Sequence, residues 1–147
     1  MPDKETQERA EEDKREGKAP STQAGEFVRE EMHHVREGKH GARSTKQAIA
    51  IGLSKARRAG VKLRAPRKGK APAATRRKAA RDVRLGKSRK KPSATRARAD
   101  RKALKREGHR AATKKSLSRQ ARSAAARHSA ASRSRAAKKA AATRKKR

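Results

Sequence analysis

The chain has 147 residues, 47 of them Lys or Arg and 14 Asp or Glu, for a formal net charge of +33. Of its apolar residues 31 are Ala and only 14 are larger, with Phe27 the sole aromatic. That is too little bulk for an ordinary core, so a conventional enzyme, whose catalytic groups need a packed shell, is not expected, and much of the chain is expected to be disordered.

No apolar run approaches the ~18 residues of a transmembrane helix, so no membrane partner is expected. The polar, acidic N-terminus is unlike a secretory signal. With zero Cys there is no disulfide framework and no thiolate metal site. A cytoplasmic protein is the expectation.

Charge divides the chain. Residues 1–31 carry 6 basic and 10 acidic side chains, residues 32–65 carry 9 and 1, and residues 66–147 carry 32 and 3. Residues 1–21 read as an acidic, disordered leader. Asp3 to Lys18 has no apolar periodicity and ends in the breaker cluster Gly17-Lys18-Ala19-Pro20. Glu8, Glu12 and Glu16 repeat at a like-charge spacing that opposes a helix.

Residues 22–65 are the only stretch that reads as folded. Between Ala24 and Arg36, Phe27, Val28, Met32 and Val35 share one helix face. Ser21 or Thr22 is placed to cap its start and Gly38 to end it. His33 and His34 are adjacent, with His40 across the turn. Without a His-Glu-x-x-His spacing they read as polar surface histidines, with no metal. A second helix opens on the capping box Ser44 and Gln47, runs from Thr45 to Ala59, and closes on Arg57, Arg58 and Gly60. Ile49, Leu53 and Ala56 form its inward stripe, and Gly52 would let another helix approach closely. Ile51 is either exposed or part of a second contact surface, while Val61 and Leu63 fold back over the end.

Nine non-Ala apolar residues between Ala24 and Ala65 are too few to offset the ordering of some forty backbones. The fold class is therefore mainly α: a small, marginal helical hairpin, completed by binding or by self-association through residues 22–65, and flanked by disordered charged segments. On the second helix Lys46, Lys55, Arg57 and Arg58 read as phosphate contacts rather than base readers.

Residues 66–92 read as a basic linker. Gly69, Pro72 and Pro92 prevent long helices, and Arg67-Lys68, Arg76-Arg77-Lys78 and Arg89-Lys90-Lys91 are its phosphate-binding clusters. Residues 93–147, a basic Ala/Lys/Arg-rich tail, lack proline and are rich in good helix formers. They are expected to be helical, or to become so when phosphates remove the charge repulsion. Thr95 to Arg106, stopped by Gly108, is one such segment. A second begins near Thr113 with Leu117, Ala121, Ala124 and His128 along one stripe, and Ser129 to Arg147 is the third. Lys114, Lys115, Lys138, Lys139, Arg144, Lys145, Lys146 and Arg147 are the tail's candidate phosphate contacts.

Two resemblances add to this reading. The stretch Phe27-Val28-Arg29-Glu30-Glu31-Met32, through Arg36-Glu37-Gly38-Lys39-His40-Gly41, to Gln47-Ala48-Ile49-Ala50-Ile51-Gly52-Leu53-Ser54-Lys55-Ala56 resembles a small group of uncharacterised proteobacterial proteins. In these a KQAIAIGLSKAR-type helix precedes a basic tail, and members are labelled domains of unknown function or, without established chemistry, DNA-binding. The tail is similar in composition to linker-histone C-terminal domains and bacterial histone-like tails, which implies a DNA-coating mode.

No Walker loop, Gly-x-Ser-x-Gly elbow or dinucleotide fingerprint is present, so no cofactor is expected. Lys and Arg displace condensed counterions from phosphate without needing a fold. At one duplex charge per ~1.7 Å, the 32 cations of residues 66–147 would cover at most about 16 base pairs. The expected function is therefore non-enzymatic, sequence-independent binding of double-stranded DNA in the nucleoid. An RNA- or ribosome-associated basic stress protein, and a protein-interaction module with a localising tail, are the alternatives.

Overall fold

A computed structural model describes residues 2–86 and 93–145. Among these, seven α-helices and one 3₁₀ turn account for the regular structure: α1 (Lys4–Arg15), α2 (Pro20–Arg36), α3 (Thr45–Arg58), α4 (Ala73–Gly86), α5 (Ala94–Lys105), the 3₁₀ turn Arg110–Ala112, α6 (Lys114–Ala126) and α7 (Ala130–Lys145). The chain is mainly α, as expected. No helix among the described residues is long and apolar enough to cross a membrane.

Two compact units divide the chain, residues 1–113 and residues 114–147. The first is built on α2 and α3. Ala48, Gly52 and Ala56 form the buried stripe of α3, a small-residue surface that brings the backbones together. A Cβ on Gly52 would stand only 2.7 Å from Val28 Cα, so the close approach expected there is present. Phe27, 1% exposed, sits at the centre of the core with Ala10, Ala24 and Ala56, and Leu53, Val61 and Leu63 pack against them. The chain beyond α3 therefore folds back over its end, as the sequence implied.

Three helices stop in the same way. Glycines with positive φ (Gly17 at 72°, Gly38 at 75° and Gly60 at 92°) follow α1, α2 and α3. Each accompanies a pair of Schellman bonds, as in Lys39 N–H to His34 O at 3.0 Å and Gly38 N–H to Val35 O at 3.3 Å. Ser44 caps α3 by accepting from Gln47 N–H at 3.2 Å. The Gln47 side chain returns to the N–H of Arg43, at 2.7 Å, rather than to that of Ser44.

Several expectations are corrected. The leader read as disordered contains α1, which docks on α2 through buried Thr6, Ala10 and Asp13, at i, i+4 and i+7. Arg9 ties it to Glu26 at 2.9 Å, and Lys18 meets Asp13 at 2.6 Å. Helix α2 starts at Pro20, not after Ser21 or Thr22. Proline's fixed φ and missing N–H suit a first helical position, and no side chain caps this end.

The basic segment after the hairpin is likewise not disordered along its described length. Pro72 is followed directly by α4, whose buried Ala79 and Asp82 face α3. Asp82, 1% exposed, is the pin of this contact. It accepts from Ser54 Oγ, and Arg58 Nε and Nη2 each lie 3.0 Å from its Oδ1.

From the last turn of α5 onward the chain returns to the hairpin. Gly41 N–H donates to Leu104 O at 2.9 Å and Ala42 N–H to Gly108 O at 3.0 Å. Thr45 Oγ1 donates to Ala111 O at 2.6 Å and Arg36 Nε to Ala112 O at 2.9 Å. The hairpin is thus covered from within the chain by α1, α4 and the 3₁₀ turn. Leu85 is the only large apolar side chain classed as exposed among the described residues.

The second unit consists of α6 and α7. Helix α6 closes at Arg127 and His128, and α7 opens on Ser129, whose Oγ accepts from Ser132 N–H at 3.2 Å. Neither helix buries a residue. The helices α5, α6 and α7 coincide with the three tail segments expected from the sequence.

Candidate nucleic-acid interface

The cations proposed from sequence fall into two groups. Three of the four on α3 are engaged inside the first unit. Lys55 reaches Glu31 Oε2 at 2.8 Å and Glu30 Oε1 at 3.0 Å. Burial pulls its ammonium down, but the close carboxylates of Glu31 and then Glu30 outweigh this and raise its pKa above the ordinary 10.5. Arg57 is 8% exposed and donates to Leu63 O at 3.2 Å. Burial lowers its pKa. Arg58 is held by Asp82. Lys55 ties α3 to α2, Arg58 ties it to α4 and Arg57 ties it to the segment that follows, so all three are poorly placed to reach phosphate. Lys46 alone of the four is exposed without such a role.

The remaining described candidates face solvent, apart from Arg76. Arg67 and Lys68 sit on the turn at Gly69, where Lys70 N–H donates to Arg67 O at 3.1 Å. On α4, Arg77 and Lys78 are exposed, while Arg76 is partly turned in, with a buried Nε. Lys114, Lys115, Lys138, Lys139, Arg144 and Lys145 are exposed on α6 and α7. Arg89, Lys90, Lys91, Lys146 and Arg147 lie outside the described residues.

The helices also organise cations that a search for adjacent basic residues missed. On α4, Arg77, Arg81 and Arg84 are exposed at i, i+4 and i+7, opposite the face of Ala79 and Asp82. They form a stripe spanning about 10 Å at 1.5 Å per residue. On α6, Lys115, Arg119 and Arg122 repeat the spacing, with Leu117, Ala121 and Ala124 on the other side. Helix α7 instead distributes Arg133, Arg135, Lys138, Lys139, Arg144 and Lys145 around its whole circumference. The signal for the stripes was a helical repeat of Arg and Lys, readable once α4 and α6 are taken as helices.

Chemically, these surfaces offer multiple charge-assisted donors to anionic oxygens on helices otherwise made of short side chains. Phe27 is buried, so no aromatic platform is available for stacking on unpaired bases.

No curated protein and no solved structure matches the chain. Residues 19–69, which contain the motif stretch from Phe27 to Ala56, match a family of unknown function, DUF6496.

Proposed function

We propose that the protein is a non-enzymatic, sequence-independent DNA-binding protein of the nucleoid, histone-like in mode, that neutralises backbone phosphates and compacts or bridges duplexes. One observation carries this reading. Residues 114–147 hold 13 Lys or Arg and no Asp or Glu, and ten of these cations stand on two helices that bury nothing. Such charge density has no use in packing and repels itself until a polyanion neutralises it. The outer stripe Arg77-Arg81-Arg84 adds a second cationic surface in the first unit.

The lack of an exposed aromatic favours duplex over single strands, and all direct readout would have to come from flexible cations. Bridging, as opposed to coating, needs two duplexes held at once, either by the two cationic surfaces of one chain or by copies joined through residues 22–65. Sedimentation at rising protein concentration reads out whether copies join.

A mobility-shift assay of the full chain on two DNA duplexes of unrelated sequence and one RNA duplex tests the proposal. Indistinguishable retardation of the two DNAs is expected. Retardation of only one DNA contradicts sequence independence. A clear preference for RNA, with copurified nucleic acid destroyed by RNase and not DNase, moves the protein to the ribosome-associated alternative.

A further inference from the structure

We propose that Glu31, His34 and His40 form a divalent-metal site, with zinc the fitting ion. Two of these residues were expected at the surface, but the His34 and His40 side chains are only 12% and 17% exposed. Glu30 and Glu31 are consecutive on α2, with side chains 3% and 0% exposed. Burying adjacent carboxylates is costly unless positive charge is brought to them. Lys55 brings one charge. Asp3 adds a third carboxylate, with Oδ2 3.1 Å from His34 Nε2. Asp3 is exposed to solvent, so the buried balance is Glu30 and Glu31 against Lys55, one positive charge short, which a metal cation or a histidine proton would supply.

Glu31 is the unsatisfied member. Both its oxygens are sealed from solvent without a contact of hydrogen-bond geometry. Lys55 and His40 stand at ion-pair distance, 2.8 and 3.1 Å, but off the axis a hydrogen bond needs.

His40 supplies the direction. Its Nδ1 lies 3.0 Å from Gly41 O, which can only accept, so this nitrogen carries the proton. In the neutral ring Nε2 then turns its lone pair toward Glu31 Oε1, 3.1 Å away. Two lone pairs at that separation repel unless a proton on Nε2 or a metal cation stands between them. A carbonyl behind the ring, fixing the tautomer, is the usual support of a metal-binding histidine. Ligand atoms at about 2.0–2.1 Å from a tetrahedral zinc stand roughly 3.3 Å apart, close to this separation.

His34 completes the set. The ligand atoms of the three residues lie within 4.8 Å of one another, and the two imidazoles meet edge to face with centroids 6.0 Å apart. Rotation of the side chains closes the remaining distance. Two imidazoles and a carboxylate are a zinc donor set with a fourth position left for water. Asp3, Glu30 and His34 also converge. However, Glu30 is already held by Lys55 and by Asp3 N–H at 3.1 Å, and Asp3 is exposed. Zinc at the proposed site would tie His40, beyond the break at Gly38, to α2.

The test is calorimetric titration of the chelator-stripped full chain with zinc chloride, with thermal melting alongside. One zinc per chain and a raised melting temperature are expected. Cobalt in its place should give the intense visible absorption of tetrahedral coordination. His40→Ala removes a ligand and should weaken binding by more than the roughly 10- to 100-fold lost with a partner behind a ligand. His33→Ala and His128→Ala, both at exposed positions, should leave binding unchanged. Absence of zinc binding, an octahedral cobalt spectrum, or equal losses in His33→Ala and His40→Ala would overturn the proposal. Glu31→Gln also disturbs Lys55, so the cobalt spectrum of the unaltered chain decides independently of any variant.

Discussion

Replacing Gly52 with Ala probes the contact on which the first unit is built. A Cβ at this position would meet Val28 Cα at 2.7 Å, Phe27 O at 2.9 Å and Val28 Cγ2 at 3.0 Å. Two of these are backbone atoms that cannot rotate away, so α2 and α3 would have to separate by several tenths of an ångström. Overpacking of this kind costs about 1–3 kcal/mol. Ala recovers about 0.8–1.0 kcal/mol of helix propensity, so the net loss reaches about 2 kcal/mol. Gly25, on α2, provides the control, because nothing lies within 4 Å of its virtual Cβ. Gly25→Ala should therefore stabilise by about 0.8–1.0 kcal/mol. The propensity gain cancels between the two variants, leaving the clash alone, about 1–3 kcal/mol, as their difference. Urea unfolding followed by far-UV circular dichroism, compared at unchanged m, measures it. A Gly52→Ala chain as stable as Gly25→Ala would refute the close packing.

Other perturbations separate binding from folding. Converting Arg77, Arg81 and Arg84 together to Gln should reduce the slope of log affinity against log salt by up to about 0.9 per residue, with the urea midpoint unchanged. Lys55→Met should do the reverse: it leaves Glu30 and Glu31 buried without their ammonium, lowering stability by about 3–5 kcal/mol while the salt slope stays fixed. Melting temperature against pH should show two further losses. The Lys55 contribution is complete below 10.5 and disappears as pH rises through the higher folded value, a step that Lys55→Met should abolish. His34, by hydrogen bonding, holds Asp3 below 3.8, so its contribution is present above that pH and fades as pH falls through the lower folded value. Asp3→Asn should remove this acid-side loss.

The helices that were legible in the sequence are those with loud punctuation. Ser44, Gly38 and Gly60 marked real caps and Phe27 and Val35 a real face, whereas α5 ends at Lys105, before Gly108. The structure departs from the reading where docking uses small or polar residues. Helix α1 packs through Thr6, Ala10 and Asp13, which carry no large apolar periodicity. Helix α4 packs through Ala79 and Asp82, the only carboxylate in residues 66–92. Pro20 and Pro72 suggested interruptions, yet each stands where a helix starts and its missing N–H costs nothing. For the candidate interface, runs of adjacent cations were visible, but which of them face solvent depends on register. That register turned Lys55 and Arg57 inward, engaged Arg58 with Asp82 and set Arg81 and Arg84 outward. The Glu31–His40 proximity joins a helix to the turn beyond it, which sequence spacing alone could not place.

The claim on which the account rests is that dense helical cations grip phosphate without reading bases. The dependence of duplex-DNA affinity on salt, measured with the full chain, addresses it most directly. With about ten phosphates engaged, log affinity should fall against log salt with a slope near −9. A slope shallower than about −3 would contradict the account, because so few released counterions could not arise from cationic helices acting together.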